Sequence, residues 1–406
     1  MKIPKKLQGF LSDSMWSIAG LVLMNVVAQF VVYPFWNRSL GNEEYGNVLY
    51  LISLMNIFAI AAGTACNNTR MVKSASGATD NGDYGLILAV MTVLAVPFGI
   101  LVYMLNEPGA SPAEAALFIL LTILTFWRFY SDVRYRLSLD YRGYFCYYLV
   151  ISLGYLAGIV LFRVTGFWAL ALIPGELAGI CMAYSRNSPI RSGLFRPSSN
   201  WKAPFGMFLT LLGSNMLSHI IFNGDRMLLN LTMGGSAVTI YYLASLLGKT
   251  MSLITTPLNG VIIGYLAKYK GDLTVRLMNL ILLIALLAVV IGTAGCTVAS
   301  HILISILYPQ NVELVRDYFF IANLTQILYF VCNVIVTILL RFSKAKYQVW
   351  INGLYAVTFL VLCIPAAASY GIVGFCLALL ATNVIRLGAA FAFGYKEAFY
   401  GKGSKL

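Results

Sequence analysis

Phe222-Asn223-Gly224-Asp225-Arg226-Met227-Leu228-Leu229 sets a carboxylate beside a guanidinium in a stretch that is apolar on both sides. An ionised side chain near the middle of a bilayer costs about 2.5–3.5 kcal/mol on insertion scales, so a pair placed there is a functional-site hypothesis by default. The pair is buried only if the helix that carries it continues past Phe222. Met227-Leu228-Leu229-Asn230-Leu231-Thr232-Met233 is too apolar for an outside turn. A continuous helix is therefore expected, with Asp225-Arg226 about eight residues below its outer end.

The rest of the chain is of the same kind. Of 406 residues, 60% are hydrophobic and 11% charged, and the mean hydropathy is +0.80. A soluble domain carries charge on about a quarter of its residues, so the composition describes an all-α polytopic membrane protein. The opening Met1-Lys2-Ile3-Pro4-Lys5-Lys6 leads into a full-length span with no small-residue cleavage site, and is expected to be an anchor. The seven cysteines lie in or at the ends of apolar spans, without a Cys-x-x-Cys pair or a His cluster. They read as small hydrophobes, and neither a metal nor a cofactor is expected.

Windows of about twenty residues give about twelve spans, near 15–36, 47–65, 85–105, 113–130, 144–162, 167–184, 205–233, 239–266, 277–300, 318–340, 347–368 and 372–393. With a cytoplasmic amino terminus, 22 of the 28 Lys and Arg residues fall on the inside; Arg38, Arg163 and Arg316 fall outside. That asymmetry over short loops places both termini in the cytoplasm and accounts for most of the +13 net charge without a nucleic-acid partner. The longest polar connection divides the spans six and six, giving a first bundle over 1–184, a cytoplasmic linker over 185–204 and a second bundle over 205–406. Ser39-Leu40-Gly41-Asn42-Glu43-Glu44-Tyr45-Gly46 aligns weakly with Thr232-Met233-Gly234-Gly235-Ser236-Ala237-Val238-Thr239, as expected of a parallel internal repeat.

Five ionisable residues lie in or near the hydrocarbon zone: Glu176, Asp225, Arg226, Lys249 and Arg386. Lys249 is about ten residues into span eight, some 15 Å deep and too deep for easy snorkelling. Glu176 follows Pro174-Gly175, where the backbone is free to break; proton acceptor, cation ligand and structural partner of Lys249 or Arg226 are its open alternatives. Arg386 lies nearer the cytoplasmic end, so snorkelling and a cavity role both stand. Arg128 is expected at the interface, and His219 as a hydrogen-bonded core residue. No Walker loop, zinc motif or nucleophile elbow occurs, so the chain is not expected to be an enzyme or to pump with ATP by itself.

Twelve spans, Leu40-Gly41 closed by Tyr45-Gly46, and Gly224-Asp225-Arg226 leading through a Gly turn to Tyr241-Tyr242-Leu243-Ala244 resemble the bacterial polysaccharide transporters. These are the O-antigen and repeat-unit flippases of the multidrug, oligosaccharidyl-lipid and polysaccharide exporter superfamily. Leu307-Tyr308-Pro309 and Tyr370-Gly371-Ile372-Val373-Gly374 add looser matches, while the second turn lacks the Tyr-Gly close of the first. The resemblance implies two six-helix bundles around a central cavity in the bacterial inner membrane. It implies an undecaprenyl-diphosphate-linked oligosaccharide as cargo, moved to the outer leaflet by alternating access. The implied partners are membrane lipids, H+ or Na+ as coupling ion, and a polymerase of the same pathway. Arg226, Lys249 and Arg386 are then the cations that meet the diphosphate, with Asp225 and Glu176 in coupling or pairing roles. An ion-coupled multidrug antiporter is the nearest alternative and would favour buried carboxylates. A membrane polysaccharide polymerase would carry a large arginine-bearing outside loop.

Overall fold

The computed structural model of the chain describes residues 5–76, 80–106, 111–185, 188–194, 196–251, 271–343 and 346–400, with 255, 259, 262 and 266. They are helical nearly throughout, and no strand occurs among them. Apolar runs of this length leave little choice, because a segment in lipid must satisfy its backbone N–H and C=O groups internally.

Nine helices among the described residues are long and apolar enough to cross a membrane. They include α1 (Met15–Leu40), α2 (Asn42–Ser74), α3 (Asn81–Asn106), α4 (Pro112–Ser138) and α5 (Tyr141–Thr165). After the short α6 (Ile173–Ala183) come α7 (Lys202–Met233), the 16-residue α8 (Gly235–Thr250), α9 (Val275–Leu307) and α10 (Pro309–Phe342). Tyr347–Phe399 is one helical run broken at Gly371, whose φ of 62° and ψ of −148° are not helical. Its arms, 347–370 and 372–399, are α11 and α12. Most of the inner half of span eight lies outside the described residues, as do Lys2, Arg186, Lys268, Lys270, Lys344, Lys402 and Lys405.

Local chemistry sets several helix ends. Ser111 and Glu114 form a reciprocal capping box at the start of α4, with Ser111 N–H to Glu114 Oε2 at 2.8 Å. Asp140 caps α5 through the Gly143 N–H at 2.8 Å, and Thr274 caps α9 through the Leu277 N–H at 3.2 Å. Arg134 closes the last turn of α6, donating to the carbonyls of Met182 and Ala183 at 2.6 and 3.0 Å. The two glycine turns aligned by sequence bend alike: Gly41 has φ 81° and ψ 175°, and Gly234 has φ 83° and ψ −177°.

Contacts gather the chain into two units, Met1–Gly41 with Val48–Met227, and Asn42–Asn47 with Leu228–Leu406. In the first, α5 packs on α1 and α6, and α4 packs on α2, α3 and α6. The connection over 188–200 is held to this unit. Asp83 at the start of α3 accepts both the backbone N–H and the hydroxyl of Ser198, at 2.7 and 2.9 Å. Asn81 donates to the carbonyls of Pro189 and Ser192 at 2.9 and 2.7 Å. In the second unit α10 packs against α8, α9 and α12. Met278, Cys332, Ile335, Leu339 and Ala390 are part of its apolar core.

Candidate functional site

Helix α7, whose residues up to Met227 belong to the first unit, runs unbroken through Asn223-Gly224-Asp225-Arg226 to Met233, as the apolar run after the pair demanded. Asp225 is 6% exposed and accepts the backbone N–H of Arg226 on Oδ1 at 2.9 Å. The Arg226 guanidinium is partly buried, and its Nη1 donates to Ser53 Oγ on α2 at 3.4 Å. The cation is thus carried on α7 and held towards α2.

Glu176 stands in the first turn of α6, and its carboxylate is shared between two neighbours. Arg128 Nε of α4 pairs with Oε2, and Tyr155 Oη of α5 donates to Oε1 at 2.6 Å. Gly175 permits this: a Cβ there would run into the Tyr155 ring, the side chain that delivers the hydroxyl. Glu176 is therefore the partner of Arg128, and of neither Lys249 nor Arg226. Arg128 is correspondingly buried within the protein, at 4% exposure. The sequence ends the fourth span near residue 130, whereas α4 continues to Ser138, about 15 Å of helix beyond Arg128.

A second ion pair in this unit, between a buried carboxylate and a half-exposed arginine, escaped the sequence. Asp132, 2% exposed, accepts from Arg136 Nη2, Tyr144 Oη and Tyr148 Oη, each at 3.1 Å. Arg70 likewise lies buried against Tyr84 and Tyr130, with its terminal nitrogens donating to Tyr130 Oη and Asn81 Oδ1. The signal that would have found these residues is the density of Tyr over 130–155, which supplies hydroxyls where lipid supplies none.

In the second unit, Lys249 is 8% exposed in the last turn of α8. Beside it the Gly248 N–H donates to Asn323 Oδ1 at 2.8 Å, and Asn323 Nδ2 donates to Ser300 Oγ at 3.0 Å. Gln326 Nε2 reaches Tyr241 Oη at 3.1 Å, so Lys249 enters next to a polar node made by α8, α9 and α10. Arg386 of α12 is 4% exposed. Its Nη2 donates to Asn333 Oδ1 of α10 and Asn352 Oδ1 of α11, both at 2.8 Å. Among the described residues no carboxylate lies within ion-pair distance of it. Lys249 and Arg386 thus belong to one unit, and Arg226, Asp225 and Glu176 to the other.

Several of the short motifs meet in the second unit. Tyr45 Oη lies 3.4 Å from Tyr308 Oη, and the Tyr45 ring meets that of Tyr242 edge-on with centroids 6.2 Å apart. Gly46 follows because the backbone of Gly235 occupies the place of any Cβ. Glu43 accepts the first N–H groups of α8, those of Gly235 and Ser236, at 2.9 and 2.8 Å. Among the described residues no cluster of His, Cys, Asp or Glu has the composition of a metal site.

No protein-family model matches the chain, and no curated protein matches it by sequence. Solved structures do match. The lipid II flippase MurJ, in an inward closed conformation, superposes with a TM-score of 0.70 over 96% of this chain and 90% of its own, at 13% identity. An inward-facing multidrug resistance MATE family transporter of the MOP superfamily superposes with a TM-score of 0.68 over 96% of this chain and all of its own, at 14% identity. A MOP superfamily transporter from Pyrococcus furiosus, whose binding pocket is described as reversed in polarity, matches over the full length of both chains at 0.61 and 14% identity. The chain shares its fold with these membrane transporters.

Proposed function

We propose that this protein is a flippase of the bacterial inner membrane that carries an undecaprenyl-diphosphate-linked oligosaccharide from the cytoplasmic to the outer leaflet by alternating access, with both termini in the cytoplasm. The observation that carries this reading is the charge balance of the buried groups. Glu176 and Asp132 are each held by an arginine, whereas Arg386 is buried with no carboxylate beside it among the described residues. A carrier of cationic drugs needs carboxylates that are open to its cargo. A carrier of a diphosphate needs cations, because the headgroup must exchange water for charge-assisted hydrogen bonds before it crosses.

On this reading Arg226, Lys249 and Arg386 bind the diphosphate, and Asp225 steadies α7 beside Arg226. Glu176 belongs to the Arg128 pair, and any coupling to H+ or Na+ acts through that pair. The structural likeness to both a lipid II flippase and MATE transporters fits a mobile carrier of this fold and leaves the cargo to the buried charges. A polymerase acting on the delivered repeat unit is the expected partner in the pathway.

Arg226→Ala and Lys249→Ala are expected to abolish surface glycan while the protein remains in the membrane at normal abundance. Each removes a charge-assisted contact of about 1.5–3 kcal/mol, which corresponds to a loss of about tenfold or more. Surface glycan at wild-type level in both variants overturns the reading.

A further inference from the structure

Arg386 is the most exacting residue of the second unit. Its guanidinium carries five N–H donors, and the two on Nη2 are taken by Asn333 and Asn352. The Nε and Nη1 atoms are buried and have no hydrogen-bond partner, which leaves three donors unused. Cζ lies 4.8 Å from the centre of the Tyr329 ring and 5.0 Å from that of Tyr355. The two ring centres are 5.6 Å apart, so both rings cover the same side of the cation. Ring faces offset part of the desolvation of the charge but accept none of these N–H groups.

The other buried arginines among the described residues show how such a group is ordinarily satisfied. Arg128 has Glu176. Arg70 has no carboxylate partner among the described residues, yet both of its terminal nitrogens find acceptors. Arg386 alone of these three keeps both a terminal nitrogen and Nε unpartnered and has no carboxylate partner among the described residues. A charge left in that state marks a place for an anion supplied from outside the chain.

We infer that Arg386, Asn333 and Asn352, walled by Tyr329 and Tyr355, form a seat for a phosphate-class oxyanion. The two asparagines fix the guanidinium by its Nη2 edge, so that Nε and Nη1 are presented in a set orientation to a phosphoryl oxygen. Carbonyl oxygens are suited to this, since they orient the fork without neutralising it. Tyr329, Asn333 and Asn352 keep part of their surface exposed around the buried guanidinium. The inference rests on the reading of the buried cations as substrate-binding groups and assigns the phosphoryl contact to this one.

The test uses purified full-length protein in phosphatidylcholine nanodiscs. One arm titrates inorganic pyrophosphate by calorimetry; the other measures retention of undecaprenyl phosphate, doped into the bilayer, by native mass spectrometry. Asn352→Asp places a carboxylate on the guanidinium, so it is expected to keep or raise the thermal midpoint and to weaken binding at least tenfold. Arg386→Lys keeps the charge but loses the fork, and the same weakening is expected. Retention of the lipid phosphate alone identifies a lipid headgroup as the ligand, and binding of pyrophosphate alone identifies a free anion; either supports the seat. Binding of neither ligand by the wild type, or equal binding by wild type and Asn352→Asp, overturns it. Binding that persists in a protein that moves no glycolipid supports the seat and sinks only the flippase reading.

Discussion

Glu176 and Arg128 form an ion pair in a place where neither charge is tolerable alone. Removing one member of a buried pair leaves the other uncompensated, at a cost of about 3–5 kcal/mol. Glu176→Gln is therefore expected to lower the thermal midpoint of the detergent-solubilised protein sharply, and Arg128→Met together with Glu176→Gln to recover much of the loss. If the double variant is no more stable than Glu176→Gln, the two charges do not depend on each other. The sequence exposed Glu176, Asp225, Arg226, Lys249 and Arg386 because charge in an apolar run is conspicuous from one chain. Their partners were harder to find. Arg128 and Arg136 lie near a span end where basic residues are ordinary, and Asn333 and Asn352 are neutral, so neither charge nor hydropathy marks them.

At the scale of elements, the glycines at the turn between α1 and α2 differ in what they do, and the difference is measurable. Gly41 sits at φ 81° and ψ 175° with nothing within 4 Å of a would-be Cβ, so Gly41→Ala meets only backbone strain, about 1–3 kcal/mol. Gly46→Ala places a methyl on the Gly235 backbone. It is expected to destabilise the protein more than Gly41→Ala does, by thermal midpoint or by yield from membranes. The connection near 188–200 is expected to behave as a strap. Asp83→Ala removes both bonds to Ser198 and should speed tryptic cleavage after Arg191 and Arg196, while an unchanged rate means the strap is held elsewhere. The glycine turns were legible as turns from composition. Their close approach was not, because contact between Asn42–Asn47 and the start of α8 depends on packing that no local pattern encodes. Helix length misled in the same way: the apolar run of span four ends before α4 does, because Asp132 and Arg136 beyond it are held by hydrogen bonds to one another and to Tyr144.

The molecule as a whole is governed by hydropathy and charge asymmetry, which is why its class was readable before any contact was known. The bias of Lys and Arg to one side predicts that a green fluorescent protein fused to the carboxyl terminus fluoresces and that an alkaline phosphatase fused there is inactive; the opposite pair of results reverses the topology. What hydropathy leaves open is the activity, since one fold serves flippases and drug exporters alike. Direct transport decides it. Proteoliposomes holding the purified protein and a fluorescent undecaprenyl-diphosphate oligosaccharide are assayed for the rate at which the glycan becomes accessible to a membrane-impermeant lectin, with ethidium movement followed in parallel. Wild-type protein is expected to move the glycolipid and leave ethidium at the rate of empty liposomes, with Lys249→Ala and Arg226→Ala slower by about tenfold or more. Glycolipid movement no faster than in empty liposomes, with ethidium driven by a proton gradient, would contradict it.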